Sequence, residues 1–251
     1  MANPYVENLN RLEFVVTMAC TGRCRHCSEG DHAAGGPSID PDTAARVVRA
    51  VAVRYALRSV MTFGGEALLR PETVYAAHAA ARDAGVPRRQ LITNGFFSRD
   101  EAVIRRTAAE LYSCGVNDLL LSADAFHQEF IPLEPVLTFA RALLEAGVPF
   151  RMSPAWLVSP ADDNPWNRRT EAILDRFRAL GVTAWEGNVI FPEGNALRYL
   201  GDYFDPGRPV ANPYEEDPRD LRAVSVGCDG EVLGRNLRDA DILDILEDYR
   251  P

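Results

Sequence analysis

Two rhythms of apolar and polar residues alternate along the chain. Short apolar or β-branched runs occur at 12–17, 59–63, 90–93, 118–122, 149–152 and 182–186. Runs of this kind suit strands buried on both faces. Between them lie longer stretches rich in alanine, leucine and arginine, at 42–57, 71–85, 99–114, 135–146 and 166–180, which read as helices. Ser38-Ile39-Asp40-Pro41 marks a helix start, with Asp40 as cap and Pro41 in the first turn. Gly85, Gly115, Gly147 and Gly181 follow the helical stretches, where a left-handed residue ends a helix. Six strands alternating with helices predict an α/β fold with a parallel sheet, either a barrel or an open doubly wound sheet. In both, chemistry collects in the loops after the strands.

After Glu186 the rhythm fades. Residues 188–213, with many glycines, prolines and aromatics, suggest an irregular lid or small accessory segment. The tail predicts a hairpin turned at Asp229-Gly230, between 224–226 and 231–233, and then a helix over 241–249. The expected division is an α/β domain over 1–187 and an accessory segment over 188–251.

The formal net charge is −9, from 36 acidic and 27 basic residues, which argues against a nucleic-acid backbone as the main ligand. The polar start of the chain lacks the apolar core of a signal peptide, and no apolar run is long enough to span a membrane. Five cysteines are too few and too clustered for a disulfide framework, so the expected setting is a reducing cytoplasm.

Three of those cysteines, Cys20, Cys24 and Cys27, fall within eight residues at the end of the first strand. Zinc normally takes four ligands, and no clear second pair follows Cys24 and Cys27. A redox dithiol would leave Cys20 unexplained. A cubane of four irons and four sulfides held by only three thiolates keeps one iron open to a ligand. The spacing C-x3-C-x2-C after a first strand resembles the cluster motif of the radical S-adenosylmethionine enzymes. That resemblance implies a [4Fe-4S] cluster on Cys20, Cys24 and Cys27, with S-adenosylmethionine chelated at the open iron. Reductive cleavage would give methionine and a 5′-deoxyadenosyl radical that abstracts hydrogen from a substrate. It also implies a partial barrel of six β/α units, open on one side. His26 stands where the family usually has an apolar aromatic near the adenine, a departure that weakens this contact but not the cluster assignment.

The resemblance extends to four further segments. Gly64-Gly65-Glu66 matches the segment that holds the methionine amino group; taken alone it is a tight turn with a solvated glutamate. Asn94, in Thr93-Asn94-Gly95, is a candidate pocket residue. Ser122 and Asp124 match ribose and carboxylate contacts, with helix capping as the alternative. Arg151 either points inward to the methionine carboxylate or lies on the solvent side. Glu186 and Asn188 are candidates for holding substrate, His127 is a weaker one, and His78 reads as structural.

Gly227-Cys228-Asp229-Gly230-Glu231-Val232 followed by Gly234-Arg235-Asn236-Leu237 resembles part of the C-terminal extension of peptide-modifying members. One cysteine there cannot hold an auxiliary cluster, so a single cluster is expected. Cys228 is either a hydrogen-atom donor to a substrate radical or a buried apolar thiol. The implied substrate is a ribosomally made peptide undergoing cross-linking or epimerisation, with a carbohydrate, nucleoside or amino acid as the alternative. With nineteen residues before Cys20, no leader-binding domain is expected there. An external electron donor is implied. A non-catalytic zinc protein and an activase making a glycyl radical on a partner are the readings from other classes.

Overall fold

The computed structural model describes residues 3–32, 35–205, 207, 210 and 212–251. The first half of the chain repeats one unit. β1 (Arg11–Val15), α1 (Pro41–Arg54), β2 (Ser59–Phe63), α2 (Pro71–Asp83), β3 (Arg88–Thr93), α3 (Glu101–Cys114), β4 (Asp118–Leu121), α4 (Leu133–Ala146) and β5 (Phe150–Met152) follow in order. The helix ends follow local chemistry. Asp40 accepts from the Thr43 amide at 2.9 Å and caps α1, a contact worth about 1 kcal/mol. Asp100 caps α3, and left-handed Gly115 and Gly147 close α3 and α4.

The strands form a parallel sheet in the order β5-β4-β3-β2-β1, extended beyond β1 by a later strand, β8 (Ala223–Val226). Alternate residues face the helices: Leu12, Phe14, Val60, Leu91, Leu119, Leu121, Val224 and Val226 are buried with Val47, Val48, Ala77, Leu111 and Phe139 in one core. The opposite face lines the lumen of a partial barrel and carries Glu13, Met61, Ile92 and Leu120.

The sixth unit is broken. Ala184 bridges Met152 in parallel, and the pairing resumes only between β6 (Ala155–Trp156) and β7 (Asn188–Val189). Pro154 interrupts it because it has no amide hydrogen to donate. α5 (Pro165–Arg178), capped by Asn164, connects the two halves. Beyond β7 stands α6 (Gly194–Leu200).

One sequence expectation for the tail fails. Residues 224–226 do not form a hairpin with 231–233; they join the main sheet as β8, parallel to β1. The antiparallel hairpin lies one turn later, between β9 (Glu231–Val232) and β10 (Arg235–Asn236). It turns at Leu233 (φ 51) and Gly234 (φ 77), two left-handed residues of the kind that match hairpin twist. The edge of β1 away from β2 is thus completed by the tail. α7 (Ile242–Asp248) follows, capped by Asp241 and buried through Ile242, Ile245 and Leu246.

Among the described residues no helix is long and apolar enough to cross a membrane.

Candidate functional site

β1 ends where the cysteine loop begins, and the loop is stitched to the end of β2. Gly65 N donates to Thr17 O and Glu66 N to Ala19 O, both at 2.8 Å. The approach requires glycine. A Cβ at Gly65 would collide with Ala19 O and stand 2.7 Å from Met18 O, and Gly64 has φ 141 with Thr17 O in the way. The two glycines therefore let the cysteine loop lie directly on the strand end.

Cys20, Cys24 and Cys27 converge on a cavity of about 120 Å³ that Gly64, Gly65, Asn94 and Ser122 also line. Cys24 is buried, and Cys20 and Cys27 are partly exposed. Burial pushes the Cys20 thiol up to about 11, Cys24 well above its usual range, and Cys27 upward. Alone, the three would stay protonated; bound iron would compensate the charge of three thiolates. Cys114 is buried in the core under α3, and Cys228 lines neither of the two cavities described here. Three converging thiols with no fourth fit a cubane with one open iron.

Two residues that brace this loop have no signal in the sequence. His32 Nδ1 donates to Met18 O at 2.9 Å, which leaves Nε2 to accept from the Cys27 thiol at 3.1 Å. Asn195, on α6, spans the other side: its Nδ2 reaches Cys24 O at 3.3 Å and Gly30 O at 3.2 Å, and its amide donates to Cys27 O at 2.9 Å. Replacing Asn195 by alanine removes the two side-chain bonds and should cost about 1–2 kcal/mol in urea denaturation. Iron release to a chelator should also accelerate. An unchanged release rate would show that α6 does not hold the loop.

Glu66 corrects an expectation. Its carboxylate does not line either cavity. It is 1% exposed and accepts from Leu68 N at 2.9 Å, Thr93 Oγ1 at 2.7 Å and Asn94 N at 2.8 Å. Burial raises its carboxyl, opposed by those three hydrogen bonds. It is a buried clasp between the ends of β2 and β3 and not a solvated turn residue. Asn94, held by that clasp, lines the small cavity and lies 3.6 Å through Nδ2 from the Cys20 sulfur.

Past β4, Ser122 lines both cavities. Asp124 is fully buried, with every acceptor direction in use: Phe126 N and His127 N at 3.0 Å on Oδ1, His127 Nδ1 at 2.8 Å and Ala155 N at 3.0 Å on Oδ2. It borders the larger cavity but its bonds are those of a cap, the alternative reading of this residue. Burial alone would raise its carboxyl; the facing His127, His26 and the hydrogen bonds outweigh it and hold the group well below the usual range. A depressed carboxyl contributes stability that is present above the unfolded value, about pH 3.9, and is lost as pH falls from there through the native value. Asp124→Asn should therefore flatten the acid limb of stability against pH below about pH 4. An acid limb of the same steepness in the variant would refute the assignment.

His127 stands edge-on to His26, ring centroids 4.7 Å apart, and ligand atoms of Cys24, His26 and His127 lie within 4.8 Å of one another. Burial holds His26 down to about 4, so its ring is neutral, and its Nδ1 has no partner. His78 is buried in α2 with Nε2 2.9 Å from Thr62 Oγ1, a structural position.

The larger cavity, about 470 Å³, is the barrel lumen and shares His26, Cys27, Gly64, Ile92, Ser122 and His127 with the smaller one. Asn188, Ile190, Phe191, Glu193, Asn212 and Tyr214 form its outer wall, so the irregular segment does cover a pocket. Three candidates lie elsewhere. Arg151 faces inward but lines neither cavity; it pairs with Asp118 and covers the Trp185 ring. Asp118 takes it up because it sits one register row below, out of reach of the strand ends. Glu186 is exposed, and its carbonyl accepts from Trp156 Nε1 at 2.6 Å. Cys228 is buried beside the Met18 backbone and lines neither cavity.

The comparisons agree with this geometry. Streptococcus suis SuiB bound to S-adenosylmethionine superposes with a TM-score of 0.61 at 13% identity, covering 96% of this chain and 66% of that one. Native anSMEcpe with bound AdoMet gives 0.60 at 15% identity, covering 95% and 80%. BtrN in complex with AdoMet and 2-DOIA gives 0.50 at 15% identity, covering 96% and 82%. At these identities the likeness shows the fold. The chain thus spans just under two thirds of the length of SuiB. No curated protein matches it. The Radical SAM superfamily matches residues 14–193, from β1 through the cysteine loop and the lumen to the edge of α6. The chain therefore belongs to the radical S-adenosylmethionine enzymes, whose cofactors are a [4Fe-4S] cluster and S-adenosylmethionine.

Proposed function

We propose that this enzyme holds its cluster on Cys20, Cys24 and Cys27 and abstracts hydrogen from an organic substrate bound in the lumen. One observation carries the reading: the cavity that gathers the three thiols opens directly into the lumen through shared walls. When bound, the cluster and S-adenosylmethionine supply the electron and the abstracting radical. The protein holds and aims. Gly64 and Gly65 clear space for a ligand's polar end, and Asn94 and Ser122 offer hydrogen bonds from the neighbouring strand ends. The outer wall built from 188–191, Glu193, Asn212 and Tyr214 limits water access to the lumen. The test is anaerobic incubation of the reconstituted protein with S-adenosylmethionine and dithionite, read by mass spectrometry for 5′-deoxyadenosine. A protein carrying a full four-iron cluster that forms none overturns the reading.

The substrate reading is a ribosomally made peptide, cross-linked or epimerised, supported by the likeness of 227–237 to the extension of peptide-modifying members. A lumen of about 470 Å³ takes one side chain of such a peptide and leaves the rest on the outer wall. The same volume also accommodates a small carbohydrate, nucleoside or amino acid, which is the second reading. A long substrate draws binding energy from remote contacts, so a one- or two-residue fragment should react far more slowly than the whole. Electrons come from an external donor.

A further inference from the structure

We propose that the substrate carries a cationic group, an amine or guanidinium on an apolar stem, and that Glu13 at the far end of the lumen receives it. This inference rests on the lumen being the substrate site.

The lumen is layered by strand register. Ser225, Glu13, Met61, Gln90 and Asp118 align in one row across the sheet. At one end of the row Asp118 is consumed: it pairs with Arg88 and Arg151 and accepts from Gln90 Nε2 at 2.7 Å. It lines neither cavity. At the other end Glu13 lines the lumen, with Arg11 as its single ion-pair partner among the described residues and Ser225 Oγ donating at 3.3 Å. The next row toward the cysteines lines the lumen with Phe63, Ile92 and Leu120; Arg151 continues that row past Leu120 but pairs with Asp118 and lines neither cavity. Beyond it stand Gly64 and Ser122, at the mouth of the thiol cavity. Met61 and Gly64 are three residues apart on one strand, about 10 Å at the usual rise. A ligand that spans this path meets polar groups, then a hydrocarbon belt, then a carboxylate.

The sign of the charge follows from the lining. Among the described residues, the carboxylates of Glu13, Glu29, Glu193 and Asp124 border the lumen, against the one guanidinium of Arg11. Asp124 is spent on its own hydrogen bonds. The remaining field favours a cation and disfavours a carboxylate or phosphate. At Glu13, burial raises the carboxyl, an effect that Arg11 lowers but does not cancel. One guanidinium thus leaves the anion incompletely compensated, and a second cation would complete it. His26 Nδ1, buried without a partner on the wall of both cavities, independently marks a polar ligand atom at the near end.

The test is calorimetric titration of the anaerobic protein loaded with cluster and S-adenosylmethionine. The probes are Nα-acetyl-lysine N-methylamide, its neutral isostere Nα-acetyl-norleucine N-methylamide, and Nα-acetyl-glutamate N-methylamide. n-Pentylamine distinguishes a free amine from a peptide side chain. The lysine probe or n-pentylamine should bind about tenfold more tightly than the norleucine probe, the effect of one charge-assisted hydrogen bond. The glutamate probe should bind weakest. Glu13→Gln should erase the preference, and Arg11→Met, by removing the competing guanidinium, should enlarge it. Equal binding of lysine and norleucine probes, a preference for glutamate, or no binding of any probe overturns the inference. If Glu13→Gln loses its iron, Arg11→Met decides: a preference that does not rise also overturns it. Equilibrium binding does not need turnover, so the two failures separate. Absent 5′-deoxyadenosine sinks the radical reading, and an absent cation preference with 5′-deoxyadenosine still formed sinks this inference alone.

Discussion

Cys24→Ala should abolish 5′-deoxyadenosine formation, by on the order of a thousandfold or more, about 4 kcal/mol or more of lost barrier reduction. Cys24 is the most enclosed of the three thiols, 7% exposed, and Gly22 packs beside it: a Cβ at Gly22 would stand 3.1 Å from its sulfur. With two thiolates in place of three, the cubane loses a corner, and the described residues offer no other cysteine at the cavity to replace it. The fold should survive, since one small buried side chain shortened by one atom costs about 1 kcal/mol. Iron and sulfide counts, circular dichroism and mass spectrometry for 5′-deoxyadenosine read the three effects separately. Cys228→Ala is the control. Its thiol lines neither cavity, so both the cluster and 5′-deoxyadenosine formation should persist. A Cys24→Ala protein with a full cluster and undiminished product would remove Cys24 from the ligand set.

Glu66→Ala should unfold at much lower urea, with a loss of about 4 kcal/mol. Its carboxylate is the shared acceptor for Leu68 N, Asn94 N and Thr93 Oγ1, all buried. Truncation strands three donors where water does not reach, each at a cost of about 1–3 kcal/mol with partial relief from relaxation. Glu66→Gln should fall between, since its carbonyl keeps two of the bonds while its amide meets a donor. The loss should be present without S-adenosylmethionine, which separates the clasp from a role in holding the methionine amino group. A variant within 1 kcal/mol of wild type would return Glu66 to the ligand-binding reading.

The residues that differ most between expectation and structure share a feature: each was placed by its neighbours in sequence and moved by its neighbours in space. Arg151 has the right side of the right strand, level with Leu120, but Asp118 one row below takes up its guanidinium. Val224-Ser225-Val226 has an ideal turn behind it, yet the open edge of β1 offers a longer ladder than a two-residue hairpin. Ser122, Asn94 and the two glycines fall where the ends of successive strands place them, and so line the cavities.

Read without coordinates, the β/α rhythm points to the parallel fold, and the resemblance of the cysteine motif to a known family implies the class of enzyme and its cofactors. Both are local patterns: thiols within one eight-residue stretch and strands with one apolar period carry their meaning within a few turns of chain. The clasp role of Glu66, the bracing of the cysteine loop by His32 and Asn195, and the acidic end of the lumen at Glu13 come from tertiary structure alone. They join residues up to 212 positions apart, and burial decides which polar groups must find partners there.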